Sequence, residues 1–339
     1  MPTIDYNYKI DDIVAKIEEL DAKNVILQFP EGLKMDATEV ANEIDEKTPT
    51  DVNILIDADA CFGACDLADH KVNGHMDLVV HFAHTTLGLE TDCPVMYIEA
   101  SSSADIKAPL LDALSKIEDP DVKCVGVITT TQHIHNLDDM IQIIKDEGYD
   151  VKTSPGVTTA KGQVLGCNFT SIKNLDVDVI IYVGSGDFHA LGVKLFTKKP
   201  VIVADPFKGS ARDIEEFYDR ILRVRFARIT KAKDAKSFGI IISSKKGQLR
   251  FDLALKLKKL IKEHGFDAQI LNMDYISPDR LLPFNLDAYV MTACPRIAID
   301  DNAMYKKPIL TPQELEIVLG IRTWDDYLMD EIIIHDKQQ

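Results

Sequence analysis

The feature that most constrains this chain is that it says nearly the same thing three times. An Asp opens an apolar strand at Asp77 (DLVVHFAH), Asp178 (DVIIYVGS) and Asp287 (DAYVMTAC). A proline introduces a second short apolar run behind each, at Pro94, Pro200 and Pro308. An earlier apolar strand begins each repeat, at Asn24, Cys124 and Phe238. The period of roughly 100 residues is too long for a solenoid repeat and matches a small domain. Apolar strands alternating with amphipathic helices predict an α/β chain of three homologous domains. Each is expected to be a parallel sheet flanked by helices, and all three to surround a shared central site. The expected spans are 1–102, 103–210 and 211–339.

The pattern also predicts individual elements. Ile10, Ile13, Val14, Ile17 and Leu20 share one helical face, and Leu253, Leu257, Leu260 and Ile261 form another. Further helices are expected over 35–45, 103–117, 137–146, 211–231 and 312–319. Long loops are expected at 59–74, carrying Cys61 and Cys65, and at 153–170, carrying Cys167. The acidic tail beyond Trp324 is expected to fray.

Composition excludes several classes. The formal charge is −17 with no basic stripe, which argues against direct nucleic-acid binding. The densest basic stretch, 220–236, reads as the solvated face of a helix between domains. No apolar run approaches the roughly 20 residues of a membrane span. The N-terminus is polar and acidic rather than signal-like. These readings point to a cytoplasmic protein without a membrane partner.

In that compartment six cysteines are expected to be reduced thiols. Cys124 lies inside an apolar strand and Cys93 at a strand entrance, where both read as packing residues. Cys61, Cys65, Cys167 and Cys294 lie instead in loops or just past strand ends. Zinc draws four ligands, often as CxxC pairs, and this chain has no CxxC. An iron–sulfur cluster normally takes four cysteines, so three converging from three repeats would leave one iron open. Cys61 and Cys65 form a CxxxC pair, but Ala68 stands where a CxxxCxxC loop would place its third cysteine. Seven residues past each Asp landmark come His84, Ser185 and Cys294, so His84 and Ser185 are expected to face the same cavity as Cys294. His189, Asp187 and Arg296 are placed near the same strand ends. Glu31 and Gly32, after the first strand, either bind a ligand or shape a turn. The HIH at 133–135 looks metal-like but is expected to open a helix.

The motifs FPEGL (29–33), GACDLAD (63–69), HFAHT (81–85), LGCN (165–168), SGDFHALG (185–192), ADPF (204–207) and TACPR (292–296) occur in this order. In these motifs the chain resembles the 2-(3-amino-3-carboxypropyl)histidine synthases of diphthamide biosynthesis, in their archaeal homodimeric form. The resemblance runs over about 8–325. It implies three α/β domains around a 4Fe-4S cluster held by Cys65, Cys167 and Cys294. It implies reductive cleavage of S-adenosylmethionine to methylthioadenosine and a 3-amino-3-carboxypropyl radical. That radical is transferred to a histidine of translation elongation factor 2. An electron donor and a second copy of the chain are the other implied partners. Glu31, Gly32, His84, Ser185, His189 and Arg296 are the candidate S-adenosylmethionine contacts. Cys61 departs from the family pattern and is read as a packing thiol in preference to a spare ligand. Two alternatives stay open: a scaffold with a structural metal, and a dehydrating enzyme like quinolinate synthase, which shares the architecture.

Overall fold

The computed structural model describes residues 6–333. The first unit runs β1 (Tyr6–Asn7), α1 (Ile10–Leu20), β2 (Asn24–Gln28), α2 (Ala37–Lys47), β3 (Asn53–Ile56), β4 (Leu78–Phe82), β5 (Val95–Ile98) and β6 (Ser101–Ser102). The second comprises α3 (Lys107–Ser115), β7 (Cys124–Thr129), α4 (Leu137–Asp146), β8 (Asp150–Lys152), β9 (Val179–Val183), α5 (Phe188–Thr197), β10 (Val201–Asp205) and β11 (Ser210–Asp213). The third comprises α6 (Glu215–Ala232), β12 (Ser237–Ile242), α7 (Phe251–Glu263), β13 (Asp267–Asn272), α8 (Pro278–Leu281), β14 (Ala288–Met291), α9 (Pro295–Ile299), β15 (Ile309–Leu310) and α10 (Pro312–Val318).

The three main sheets share one topology. Their orders are β3-β2-β4-β5, β8-β7-β9-β10 and β13-β12-β14-β15, with every neighbouring pair parallel. β11 adds an antiparallel edge to the second sheet, so that sheet extends to Asp213, past the boundary read at 210. β4, β9 and β10 are buried at every position, as parallel strands covered on both faces must be.

The repeated Asp has a structural explanation. Asp77 accepts the amides of Lys23 and Asn24 on one carboxylate oxygen, both at 2.9 Å. Asp178 accepts Lys123 and Cys124, both at 2.8 Å. Asp287 accepts Lys236 and Ser237, both at 3.0 Å. In each unit the third strand's leading carboxylate therefore ties down the start of the first strand. These backbone bonds hold all three carboxyls below the usual carboxylate range.

Cores form on both faces of the sheets. One continuous core joins the second and third units, from Ile128 and Phe169 through Ile221 and Ile229 to Leu310 and Leu315. α6 packs Ile221, Ile229 and Ala232 into it, and the basic stretch is solvated at Arg220, Arg223, Lys231 and Lys233 but not at Arg225. Arg225 is fully buried and forks onto Glu314 at 2.8 and 2.6 Å, and it also donates to the Ala298 and Ile309 carbonyls. Burial of a guanidinium is tolerable only with such complete pairing.

Between Trp324 and residue 333 the tail packs rather than frays. Tyr327 is buried with its hydroxyl donating to Glu314 at 3.0 Å. Asp330 is buried and pairs with Arg250, and Ile332 is buried. Residues 334–339 lie outside the described part. Cys124, expected inside a buried strand, is only partly buried because it is the first residue of β7.

Candidate metal centre

Local chain geometry brings the three expected cysteines together. Cys65 lies in the loop after β3, Cys167 in the corresponding loop after β8, and Cys294 just past β14, where it caps α9. All are free, and each keeps an accessible edge. Burial raises the Cys167 thiol well above its ordinary value, and the nearby Cys65 and Cys294 raise it further. Burial likewise pushes Cys294 up to about 11, with Cys65 adding to the effect. Burial raises Cys65 too. Three sulfurs that perturb one another do not ionise together without a cationic partner.

The surroundings supply donors that suit thiolates. Gln248 donates its side-chain N–H to Cys65 Sγ at 3.3 Å. The backbone N–H groups of Arg296 and Ile297 face Cys294, and Arg250 lies near Cys167; both favour the ionised sulfur. A buried set of three thiols with such donors fits a sulfur-rich metal group with one position left unligated by cysteine.

The Cys65 and Cys167 loops are each held by the third unit. The segment after β12 reaches back to the first unit. Lys245 pairs with Asp66 at 2.5 Å, and Lys246 pairs with Asp69 at 2.6 Å and Asp92 at 2.9 Å. Gly247 donates its amide to the Cys65 carbonyl at 3.2 Å. The tail closes on the second unit: Ile332 donates its amide to the Cys167 carbonyl at 2.7 Å, and Phe169 donates to Glu331 at 2.9 Å. Arg250 joins these contacts, holding the Thr292 carbonyl at 2.5 Å and forking onto Asp330.

Against Arg296, two residues past Cys294, is a cavity of about 620 Å³, within the size range of a cofactor site. Its wall includes Ser185, Asp187, His189, Arg296 and Asp300. Arg296 sits 4.4 Å over the Phe188 ring and pairs with Asp300 at 3.0 Å. Phe188 is fixed by Gly166, where a Cβ would come within 2.1 Å of the ring. His189 stacks on Tyr182. Burial brings its pKa down to about 4, with Arg296 and His84 contributing. Burial also lowers His84 to about 4, although one edge of the ring remains accessible. Both imidazoles are therefore neutral at pH 7. Asp300 is raised to about 6, mainly by burial.

Ser185, Asp187, His189 and Arg296 thus share a wall, with His84 close by. Glu31 and Gly32 do not line this cavity. They lie on an exposed turn after β2, where Glu31 pairs with Lys34 at 2.5 Å. The HIH motif opens α4 through the short turn Thr131–Asn136, and His133 packs against Phe207. Sequence reasoning missed Gly247, Gln248 and Arg250. Their signal was positional, because SKKGQLR follows the first strand of the third repeat as FPEGL follows that of the first. It also missed His81, the partner of His84 in HFAH.

Residues 29–328 match the diphthamide synthesis protein family. The 2-(3-amino-3-carboxypropyl)histidine synthase of Pyrococcus horikoshii is 36% identical over 95% of this chain and 92% of its own length. The enzyme of the same name from Methanocaldococcus jannaschii is 30% identical over 96% of this chain and 93% of its own. The crystal structure of Dph2 from Pyrococcus horikoshii with a 4Fe-4S cluster superposes with a TM-score of 0.89 at 34% identity, covering 98% of this chain and 96% of that one.

Proposed function

Because the chain belongs to the diphthamide synthesis protein family, we propose that it is a 2-(3-amino-3-carboxypropyl)histidine synthase that carries out the first step of diphthamide biosynthesis. The observation that carries this reading is the meeting of Cys65, Cys167 and Cys294, one from each repeat, within a fold matching a relative solved with a 4Fe-4S cluster. The shared dehydratase architecture has no specific observation in its favour.

Cys65, Cys167 and Cys294 would hold the cluster. When bound, it supplies the electron that cleaves S-adenosylmethionine to methylthioadenosine and the 3-amino-3-carboxypropyl radical that passes to a histidine of elongation factor 2. The chain's own residues provide position and exclusion. Gln248 and the Arg296 and Ile297 amides donate toward ligand sulfurs, offsetting the burial that opposes thiolates. The cavity walled by Ser185, His189 and Arg296 receives the cosubstrate. Arg296, held over Phe188, is the cation for its carboxylate, and neutral His189 offers a hydrogen bond without adding charge beside a sulfonium. The chain acts as a homodimer and takes its electron from a separate donor. Among the described residues no helix is long and apolar enough to cross a membrane.

The test is anaerobic reconstitution with iron and sulfide, then dithionite and labelled S-adenosylmethionine, with and without elongation factor 2. Methylthioadenosine release and label on the factor are expected. Absence of both from protein carrying a full cluster overturns the reading. Anaerobic light scattering checks the dimer.

A further inference from the structure

We propose that Cys61, His81 and His84 form a second metal site, separate from the three cluster cysteines, for a divalent cation of the zinc type. Their ligand atoms all lie within 4.8 Å of one another. A tetrahedral zinc with bonds of about 2.3 Å to sulfur and 2.0–2.1 Å to nitrogen sets S and N roughly 3.5 Å apart. The two rings are already close to that, with His81 Nε2 3.0 Å from His84 Nδ1. Closing the site asks the Cys61 sulfur to move by about an ångström. That sulfur is buried and held only by a long 3.9 Å contact to the Gly63 carbonyl.

The surroundings fix the chemistry of His81. The Ala68 amide can only donate, and it donates to Gln28 Oε1 at 3.1 Å. The Asp66 carbonyl can only accept, and it accepts from Gln28 Nε2 at 2.8 Å. The Gln28 amide is thereby locked with its oxygen toward His81 Nδ1, 2.7 Å away. His81 Nδ1 must carry the proton, so Nε2 presents a lone pair toward His84. A ring nitrogen that donates to a carbonyl oxygen while the other faces the cation is the usual arrangement behind a metal-bound histidine.

The backbone is also bent to make the group. Ala83, between the two histidines, has φ +62°, and its amide is held by the Ile98 carbonyl at 2.6 Å. Such a conformation costs an alanine about 1 kcal/mol and tends to persist where surrounding structure needs it. Here it brings two side chains three positions apart, which a continuing strand would send to opposite faces, onto one side.

Without the cation, His84 Nδ1–H donates to His81 Nε2. Cation binding moves that proton to His84 Nε2, freeing Nδ1 as a ligand. The Cys61 thiol loses its proton to solvent as sulfur bonds the metal, so one proton is released per cation with no change of oxidation state. Thiolate and two imidazoles leave one coordination position open.

The experiment uses cluster-loaded protein under anaerobic conditions, titrated with Zn(II) against a chromophoric chelator. One zinc per chain is expected, with the iron complement unchanged and about one proton released. Zinc-edge X-ray absorption should show one sulfur and two nitrogens. Cys61→Ser should weaken binding roughly tenfold or more, and Gln28→Leu, which frees the His81 tautomer, by roughly 10–100-fold. Circular dichroism checks that both variants fold. No stoichiometric zinc, equal zinc in Cys61→Ser, or zinc gained only as iron is lost would each overturn the proposal. The proposal does not depend on the transferase reading, since every readout is metal content, protons or ligation.

Discussion

Gly247 of the third unit lies directly against Cys65 of the first: a Cβ at Gly247 would stand 2.4 Å from Cys65 Cα. The obstructing atoms are the Cα, Cβ and carbonyl oxygen of Cys65, none of which a side-chain rotation moves. Gly247→Ala should push the two units apart at a cost of about 1–3 kcal/mol. It should also lower iron retention, because the displaced residue is one of the three proposed cluster ligands. Normal iron content and an unchanged denaturation midpoint would refute this.

Replacing Cys65, Cys167 or Cys294 by Ala should abolish or cripple cluster binding, read as iron and acid-labile sulfide per chain. Cys93→Ala and Cys124→Ala should keep the full complement. Loss of iron from the Cys124 variant with retention in the Cys167 variant would reverse the assignment.

Ending the chain at Met329 removes Asp330, Glu331 and Ile332, and with them the ties to Arg250, Phe169 and Cys167. The shortened protein should retain Tyr327 in its core and lose its cluster faster under chelator challenge. Equal release rates would show that the tail is dispensable.

Arg225→Met should leave Glu314 buried without its cation and destabilise the protein by about 3–5 kcal/mol. Arg225→Lys keeps the charge but loses the fork, so an intermediate effect is expected in urea denaturation.

His133 is buried, and burial holds its pKa down to about 4, against an ordinary 6.5. The unfolded chain binds the extra proton first, so this contribution is complete above pH 6.5 and is lost as pH falls toward 4. Between pH 6.5 and 5 the loss should be on the order of 2 kcal/mol. His133→Asn should flatten that part of the stability–pH curve. An unchanged slope would assign the titration elsewhere.

Much of this architecture was legible because it is repeated. The Asp landmarks and the three strand sets recur at matching positions, as do Cys65 and Cys167, while Cys294 stands where the other repeats have His84 and Ser185; the structure gives each Asp the equivalent two backbone partners. What stayed hidden was whatever depends on contact between repeats. The charge of Arg225 reads as surface because nothing local marks Glu314, 89 residues away, as its partner. The tail looks acidic and loose because Asp330 and Glu331 find their partners at Arg250 and Phe169. Lys245 and Lys246 resemble ordinary surface lysines until Asp66 and Asp69 are brought beside them.

The hold of Gly247 on Cys65 and of Ile332 on Cys167 sets an order of events in the cell. The first cysteine leaves the ribosome long before the residues that clamp it, and the third unit supplies both clamps as well as Cys294. A nascent chain that has reached the second repeat has thiols but no finished socket for them. Maturation of the centre therefore belongs after synthesis of the third unit, and the exposed thiols of the growing chain are the stage most open to oxidation or to capture by the wrong metal.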